Sequence, residues 1–245
     1  MASNPSGVGA EPGLRERKKA EMRQRISDIA TVMFLERGFD GVRVADIAEQ
    51  VGVSEKTIFN YFPTKESLIL DQADEQVERA IGALSERESG VTPTRAFTAE
   101  MSRQFAEMVQ DDDYERVREI VPRFSEMLEA TPALIAAWGD HRHRLVLAIA
   151  QVLADDLGVD PRDPEPRTAA RALVSLTELA YDSMLRNVEQ AGSGPELVAI
   201  VEADLDRGAR LLETGMGSLP LSRNRKRDWK RERKRERKRD PSRTS

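Results

Sequence analysis

RGFDGVRVADIAEQVGVSEKTIFNYFPTK, residues 37–65, decides the fold. A short helix from Val44 to Gln50 carries Ile47 and Ala48, and with Val51 these fall at i, i+1 and i+4 on one narrow apolar face. Gly52 stands where a helix stops in a left-handed turn that glycine enters at no steric cost. Val53 is expected to bury in that turn. Ser54 is placed to cap the next helix through its hydroxyl, and Glu55 puts negative charge at the positive helix end. The second helix runs from Glu55 to Tyr61, and Pro63 ends it. Two short helices joined by a Gly-containing turn form a helix-turn-helix, the geometry that lays a recognition helix in a DNA major groove. The A-x-x-x-G-V-S spacing alone also fits a helical corner with no nucleic-acid partner. The flanks separate the two.

Those flanks are Glu36-Arg37-Gly38-Phe39, Asp46-Ile47-Ala48, Gly52-Val53-Ser54 and the run TIFNYFPTKE from Thr57 to Glu66. Together they resemble the DNA-binding domain of the TetR (tetracycline repressor) family of bacterial regulators. The resemblance implies that Ser54, Glu55, Lys56, Thr57, Asn60 and Tyr61 form the DNA-reading surface, with Lys65 clamping the backbone. The residue types suit that work. Lys56 can donate to guanine or phosphate, and the Thr57 methyl can touch a thymine methyl. Asn60 can bond bases or sugar-phosphate, and the Tyr61 hydroxyl suits a phosphate. Glu55 either accepts from a cytosine amino group or serves only the helix dipole. Ile58 and Phe62 are core by spacing, while Phe59 stays open between core and groove edge. The family usually has Thr or Ser where Arg43 stands. Arginine cannot cap an N-terminus, so that helix is expected to forgo roughly 0.5–2 kcal/mol, with Arg43 reaching a phosphate instead.

The rest of the chain shows helical periodicity and no convincing strand alternation, so the fold class is all-α. An N-terminal three-helix helix-turn-helix domain is followed by a larger helical ligand-binding and dimerisation domain. Residues 1–13 are expected as a disordered lead, 14–65 as the DNA-binding domain, 66–216 as the regulatory and dimerisation domain, and 217–245 as a basic low-complexity tail. The first helix, Leu14 to Arg37, has an apolar stripe of Ile26, Ile29, Ala30, Met33 and Phe34. Its basic N-terminal half (Arg15, Arg17, Lys18, Lys19, Arg23, Arg25) lacks such a stripe and is expected to reach the DNA backbone as an arm. One helix from Lys65 to about Glu88 should join the domains. Later helices are expected over Thr94–Gln110, from an Asp111–Asp113 cap to Ala130 with a Pro122 kink, from Pro132 to Leu157, over Arg167–Gln190, and from Glu196 to Thr214.

The chain has 245 residues, no Cys and a net charge of −5 that conceals a segregation. Residues 66–221 hold 15 basic and 30 acidic side chains, whereas 222–245 hold 13 and 4. Phosphate affinity therefore concentrates at the ends of the chain. Without Cys there is no disulfide framework, thiolate chemistry or Cys-ligated zinc. His141 and His143, at i and i+2, point apart on a helix and do not share a metal. With no Gly-rich phosphate loop either, no enzyme activity, metal or cofactor is expected. No apolar run of about 18 residues suggests a membrane span, and MASNPSGVGAEPG is expected to be a disordered lead rather than a secretory signal. A cytoplasmic, nucleoid-associated protein follows as the expectation.

By the same resemblance, the last two helices pair with their copies in a second chain as a four-helix bundle. A two-fold homodimer then meets a palindromic double-stranded operator with half-sites roughly 34–36 Å apart. Phe97, Met101, Phe105, Arg123, Phe124, Met127, Trp138 and Tyr181 are candidate lining for a pocket that takes an unidentified small-molecule effector. The expected function is a ligand-responsive repressor. The alternative is an architectural or weakly sequence-specific DNA binder driven by the basic arm and by the tail RNRKRDWKRERKRERKRDPSRTS, whose apolar residue is Trp229.

Overall fold

The computed structural model describes residues 13–71, 73–109 and 114–215. The expected lead, the Asp111–Asp113 cap and the basic tail with Trp229 lie outside the described residues. All regular structure within them is helical, as the periodicity predicts: α1 (Leu14–Arg37), α2 (Val44–Val51), α3 (Glu55–Tyr61), α4 (Ala73–Ser85), α5 (Pro93–Met108), α6 (Tyr114–Ala130), α7 (Pro132–Leu157), α8 (Pro164–Asn187) and α9 (Gly194–Thr214). A single 3-10 turn lies at Glu66–Leu68. Residues up to Ala209 make one compact unit, and Arg210 opens a second.

The second half of α1 buries Ile26, Ala30, Met33 and Phe34, the residues its spacing aligns on one face. Ile47, Ala48 and Val51 of α2, Ile58 of α3, and Phe39, Phe62 and Leu68 close the core against them. The Phe34 and Phe39 rings meet at 5.0 Å and 42°. Each large side chain buried this way contributes about 1.5–3 kcal/mol. Gly52 closes α2 at φ 82, and its N–H donates to Ala48 O at 3.0 Å. A Cβ there meets open space, so Gly52→Ala isolates the backbone cost of a left-handed residue, about 1–2 kcal/mol. The thermal melt should fall accordingly; an unchanged melt would mean that the turn relaxes to another conformation.

Several helix boundaries differ from expectation: α4 and α8 end at Ser85 and Asn187, each three residues early, α9 begins at Gly194, and two starts differ for a clear physical reason. The helix predicted from Lys65 to Glu88 is broken after Leu68 and resumes at Ala73. Side chains of α1 take the carbonyls that a continuous helix would use: Ser27 Oγ donates to Leu68 O at 3.4 Å and Arg23 Nη2 to Asp71 O at 2.9 Å. The break lets Leu68 and Ile69 turn into the N-terminal core. α8, expected from Arg167, begins at Pro164. Prolines in a first helical turn lose only N–H groups that have no intrahelical partner, so these start the helix rather than exclude it.

In the rest of the unit α7 lies along α8, α4 packs on α7 and α5, and α5 packs on α8. α9 approaches α8 closely at Gly208, where a Cβ would sit 2.7 Å from Leu179 Cδ2 and 2.9 Å from Leu176 Cδ2. Part of the apolar face expected to serve dimerisation is therefore covered within the chain. The two regions also share a core. Leu134 of α7 is fully buried in the N-terminal cluster, and Phe124, Met127 and Leu128 of α6 pack half-buried against it.

Candidate nucleic-acid interface

Ser54 caps α3 as its position predicts, its Oγ accepting from Thr57 N at 3.1 Å and sharing a 2.8 Å hydrogen bond with Thr57 Oγ1. That pairing occupies both hydroxyls and leaves the Thr57 methyl as its free group. Glu55, Lys56 and Asn60 are exposed along α3. Phe59, left open by the spacing, is 45 % exposed and belongs to this surface rather than to the core. An exposed aromatic on so short a helix offers apolar contact to a thymine methyl or a sugar face. Spacing left it open because TIFNYF holds two aromatics, Phe59 and Tyr61, beyond the Ile58 and Phe62 that the core needs.

Arg43 lies at the start of α2 and is answered by Asp46. Asp46 Oδ2 accepts from Arg43 N at 3.0 Å, capping the helix in reverse, while the guanidinium grips the same carboxylate at 2.6 and 3.3 Å. Hydrogen bonding between the two raises the Arg43 pKa and lowers that of Asp46. The expected loss of capping is thus made up three residues on. Arg43 remains largely exposed, so it can still meet a phosphate.

Arg23 does not belong to the basic arm. Its guanidinium lies 4.4 Å over the Phe62 ring and donates to Tyr61 O at 2.7 Å and to Asp71 O at 2.9 Å. The C-terminal carbonyls of a helix attract a cation, and these bonds tie the end of α3 to α1. Lys65 is likewise turned inward: Nζ donates to Phe39 O at 2.5 Å and sits 4.2 Å from the Phe39 ring centre. Tyr61 is half-buried against the core. Arg15, Arg17, Lys18 and Lys19 are exposed on the first half of α1, where Arg17 pairs loosely with Glu21 at 3.8 Å.

The predicted pocket divides. Met101, Phe105, Trp138 and Tyr181 come together between α4, α5, α7 and α8, Tyr181 meeting Phe105 at 5.3 Å and Trp138 at 5.6 Å, both edge-on. Two cavities, of about 260 and 230 Å3, lie on either side of Tyr181 and Gln76. Phe97 is plain core, 1 % exposed, and lines neither. Arg123, Phe124 and Met127 are not pocket residues. α6 carries them against α1, where Arg123 Nη2 donates to Leu35 O at 3.1 Å and the other two join the N-terminal core.

His141 is buried beside this pocket, while His143 is exposed. Burial pushes the imidazole below its usual pKa, with Arg144 assisting and Asp74 opposing. Because the folded pKa lies below the unfolded one, the unfolded chain binds more protons in that window. Stability therefore rises with pH there, and is lost as pH falls through the ordinary value of 6.5. Melts on the acid side of neutrality should show this slope and His141→Phe should flatten it; an unaltered slope would assign the sensitivity to other groups.

A capped recognition helix with an exposed polar and aromatic face, set on a helical body with internal cavities, defines a helix-turn-helix regulator. Residues 26–71 match the family described as bacterial regulatory proteins, tetR family, and residues 91–217 match the MftR C-terminal domain. The chain is 30 % identical to the HTH-type transcriptional regulator TcmR of Streptomyces glaucescens, over 66 % of this chain and 70 % of that one. It is 26 % identical to the HTH-type transcriptional repressor AcnR of Corynebacterium glutamicum, over 76 % and 91 %. A solved TetR-family structure from Syntrophomonas wolfei superposes with a TM-score of 0.52 at 19 % identity, covering 83 % of this chain and 99 % of that one, a likeness of fold. The chain belongs to the TetR family of DNA-binding transcriptional regulators. Among the described residues no helix is long and apolar enough to cross a membrane.

Proposed function

We propose that this regulator is a repressor that binds a palindromic operator as a homodimer through α8 and α9 and leaves it when a small molecule occupies the cavities around Tyr181. The observation that carries the reading is the surface of α3, where Glu55, Lys56, Phe59 and Asn60 are exposed while Ile58 is buried and Tyr61 lies half-buried against the core. Lys56, Thr57, Phe59 and Asn60 read bases, with Ser54 and Glu55 at the helix start. Arg43 and the arm residues Arg15, Arg17, Lys18 and Lys19 bind phosphates. Residues 14–71 act as the reading head and 73–215 as the sensor and dimerisation body, in a cytoplasmic, nucleoid-associated protein. The AcnR relative is named a repressor, which supports the direction of control.

A footprint of the full-length protein on the DNA flanking its own gene tests this. A discrete inverted-repeat footprint is expected, from a species that sediments as a dimer, and it should survive removal of the tail. Lys56→Ala with Asn60→Ala should erase the footprint, each contact costing about 1–3 kcal/mol of discrimination. Uniform protection that vanishes with the tail would favour the architectural alternative.

A further inference from the structure

The cleft between α4, α7 and α8 holds a polar relay that ends on unmatched groups. His141 is 2 % exposed, and its Nε2 lies 3.2 Å from Gln76 Oε1. Gln76 Nε2 in turn donates to Tyr181 Oη at 3.5 Å. A carbonyl oxygen opposite Nε2 keeps the proton on that nitrogen and leaves Nδ1 a bare acceptor. Among the described residues Nδ1 has no hydrogen-bond partner. The Tyr181 hydroxyl receives from Gln76 and keeps its own proton to donate. Burial pushes that phenol above its usual pKa, so it stays a neutral donor. The relay therefore runs from His141 to Gln76 to Tyr181, with an unmet acceptor at one end and an unspent donor at the other. Buried polar atoms without partners are rare and costly, and beside a cavity they mark where a ligand's own polar atoms belong.

The surroundings narrow the ligand's chemistry. The Trp138 ring lies 5.8 Å from the imidazole and 5.6 Å from Tyr181, so aromatic surface flanks the acceptor. At the rim of the 230 Å3 cavity Arg142 is paired with Glu178, and Asp182 is exposed beside them. On the far side of Tyr181, Arg79 is held by Glu100 at 2.9 Å and Glu107 at 2.5 Å. Both arginines lining these cavities are thus committed to carboxylates, which disfavours an anion. A cavity of that volume, small by the standard of ligand sites, suits one or two fused rings.

We infer that this cleft takes a small neutral aromatic molecule bearing a hydrogen-bond donor, a phenol or an N–H heterocycle, whose donor meets His141 Nδ1 while its ring lies against Trp138. The assignment rests on the reading of the chain as a ligand-responsive regulator and gives its effector a chemical class. Satisfying Nδ1 is worth most to the ligand that carries a donor, so close analogues separate the idea from generic apolar binding.

Calorimetric titration of the full-length protein with four matched probes tests it: 2-naphthol, 2-methoxynaphthalene, 2-naphthoate and 2-naphthylmethylammonium. 2-Naphthol should bind about tenfold more tightly than its methyl ether, the factor expected for one buried hydrogen bond, and naphthoate should give no binding heat. In His141→Phe the preference for naphthol over the ether should vanish. The wild-type comparison stands even where that variant folds poorly. Equal affinity for naphthol and ether, a tighter naphthoate or ammonium, no binding by any probe, or a preference retained in His141→Phe would each overturn the assignment. A footprint of the same preparation keeps the two readings apart. A retained inverted-repeat footprint beside failed titrations overturns only the ligand class, whereas loss of the footprint overturns the regulator reading itself.

Discussion

Arg23→Ala is expected to lower the melting temperature and to weaken operator binding by more than tenfold, although the guanidinium is turned onto the protein's own main chain. Its guanidinium donates to two main-chain carbonyls, one ending the recognition helix and one at the break before α4, and lies over Phe62. Hydrogen bonds from a charged donor contribute about 1.5–3 kcal/mol each, and the ring contact about 0.5–1. Arg23 is only half-buried and the contributions overlap, so a loss of about 3 kcal/mol in all is the expectation. Lysine cannot reproduce a planar donor that serves two carbonyls and a ring face at once, so Arg23→Lys should rescue little. Lys18→Ala supplies the contrast: it should leave the melt unchanged and reduce the salt slope of DNA binding by about one unit. If Arg23→Ala behaved as Lys18→Ala does, Arg23 would be a phosphate contact after all.

Leu134→Ala should cost more still. Leu134 is fully buried in a core otherwise built from α1, α2, α3 and the 3-10 turn, yet it belongs to α7. Truncating a buried leucine costs about 2–5 kcal/mol, and the upper part of that range applies where neighbours cannot collapse into the space. Here the surrounding cluster includes Phe34, Phe62 and Leu68, all fully buried and with little room to move. The expected result in thermal and denaturant melts is one transition moved far down, lost to both regions together. Two separate transitions, with only the earlier one shifted, would mean that the regions fold independently and that Leu134 merely rests against its neighbour. The exposed Ile135 beside it is the control, and Ile135→Ala should move the melt by less than about 0.5 kcal/mol.

Much of this architecture was legible because its signals are local. Ile47, Ala48 and Val51, then Gly52, then Ser54 lie within eight consecutive residues, and each does in the structure what its spacing implies. The main-chain partners of Arg23 and Lys65 were not legible because they lie 26 to 48 residues away. A signal did exist for Arg23, which stands three and seven residues before Ile26 and Ala30 on the apolar stripe of α1. Nothing comparable marked Lys65. The pocket was half legible for a related reason: amphipathic spacing tells which face of α6 is apolar but not what that face meets. Phe124 and Met127 have the composition of pocket lining and the position of a domain joint. His141, set aside as half of an unworkable metal pair, proved to be the buried end of a relay that only tertiary neighbours reveal.

The shared core also sets a rule for recombining such proteins. Exchanging reading heads between regulators invites a cut just after the 3-10 turn, where the helix-turn-helix segment ends. In this chain that cut would strip Leu134, Phe124, Met127 and Leu128 from the transplanted head and leave Leu35 O without its Arg123. A working chimaera must carry the end of α6 and the first turn of α7 along with the head, or repack the interface from both sides.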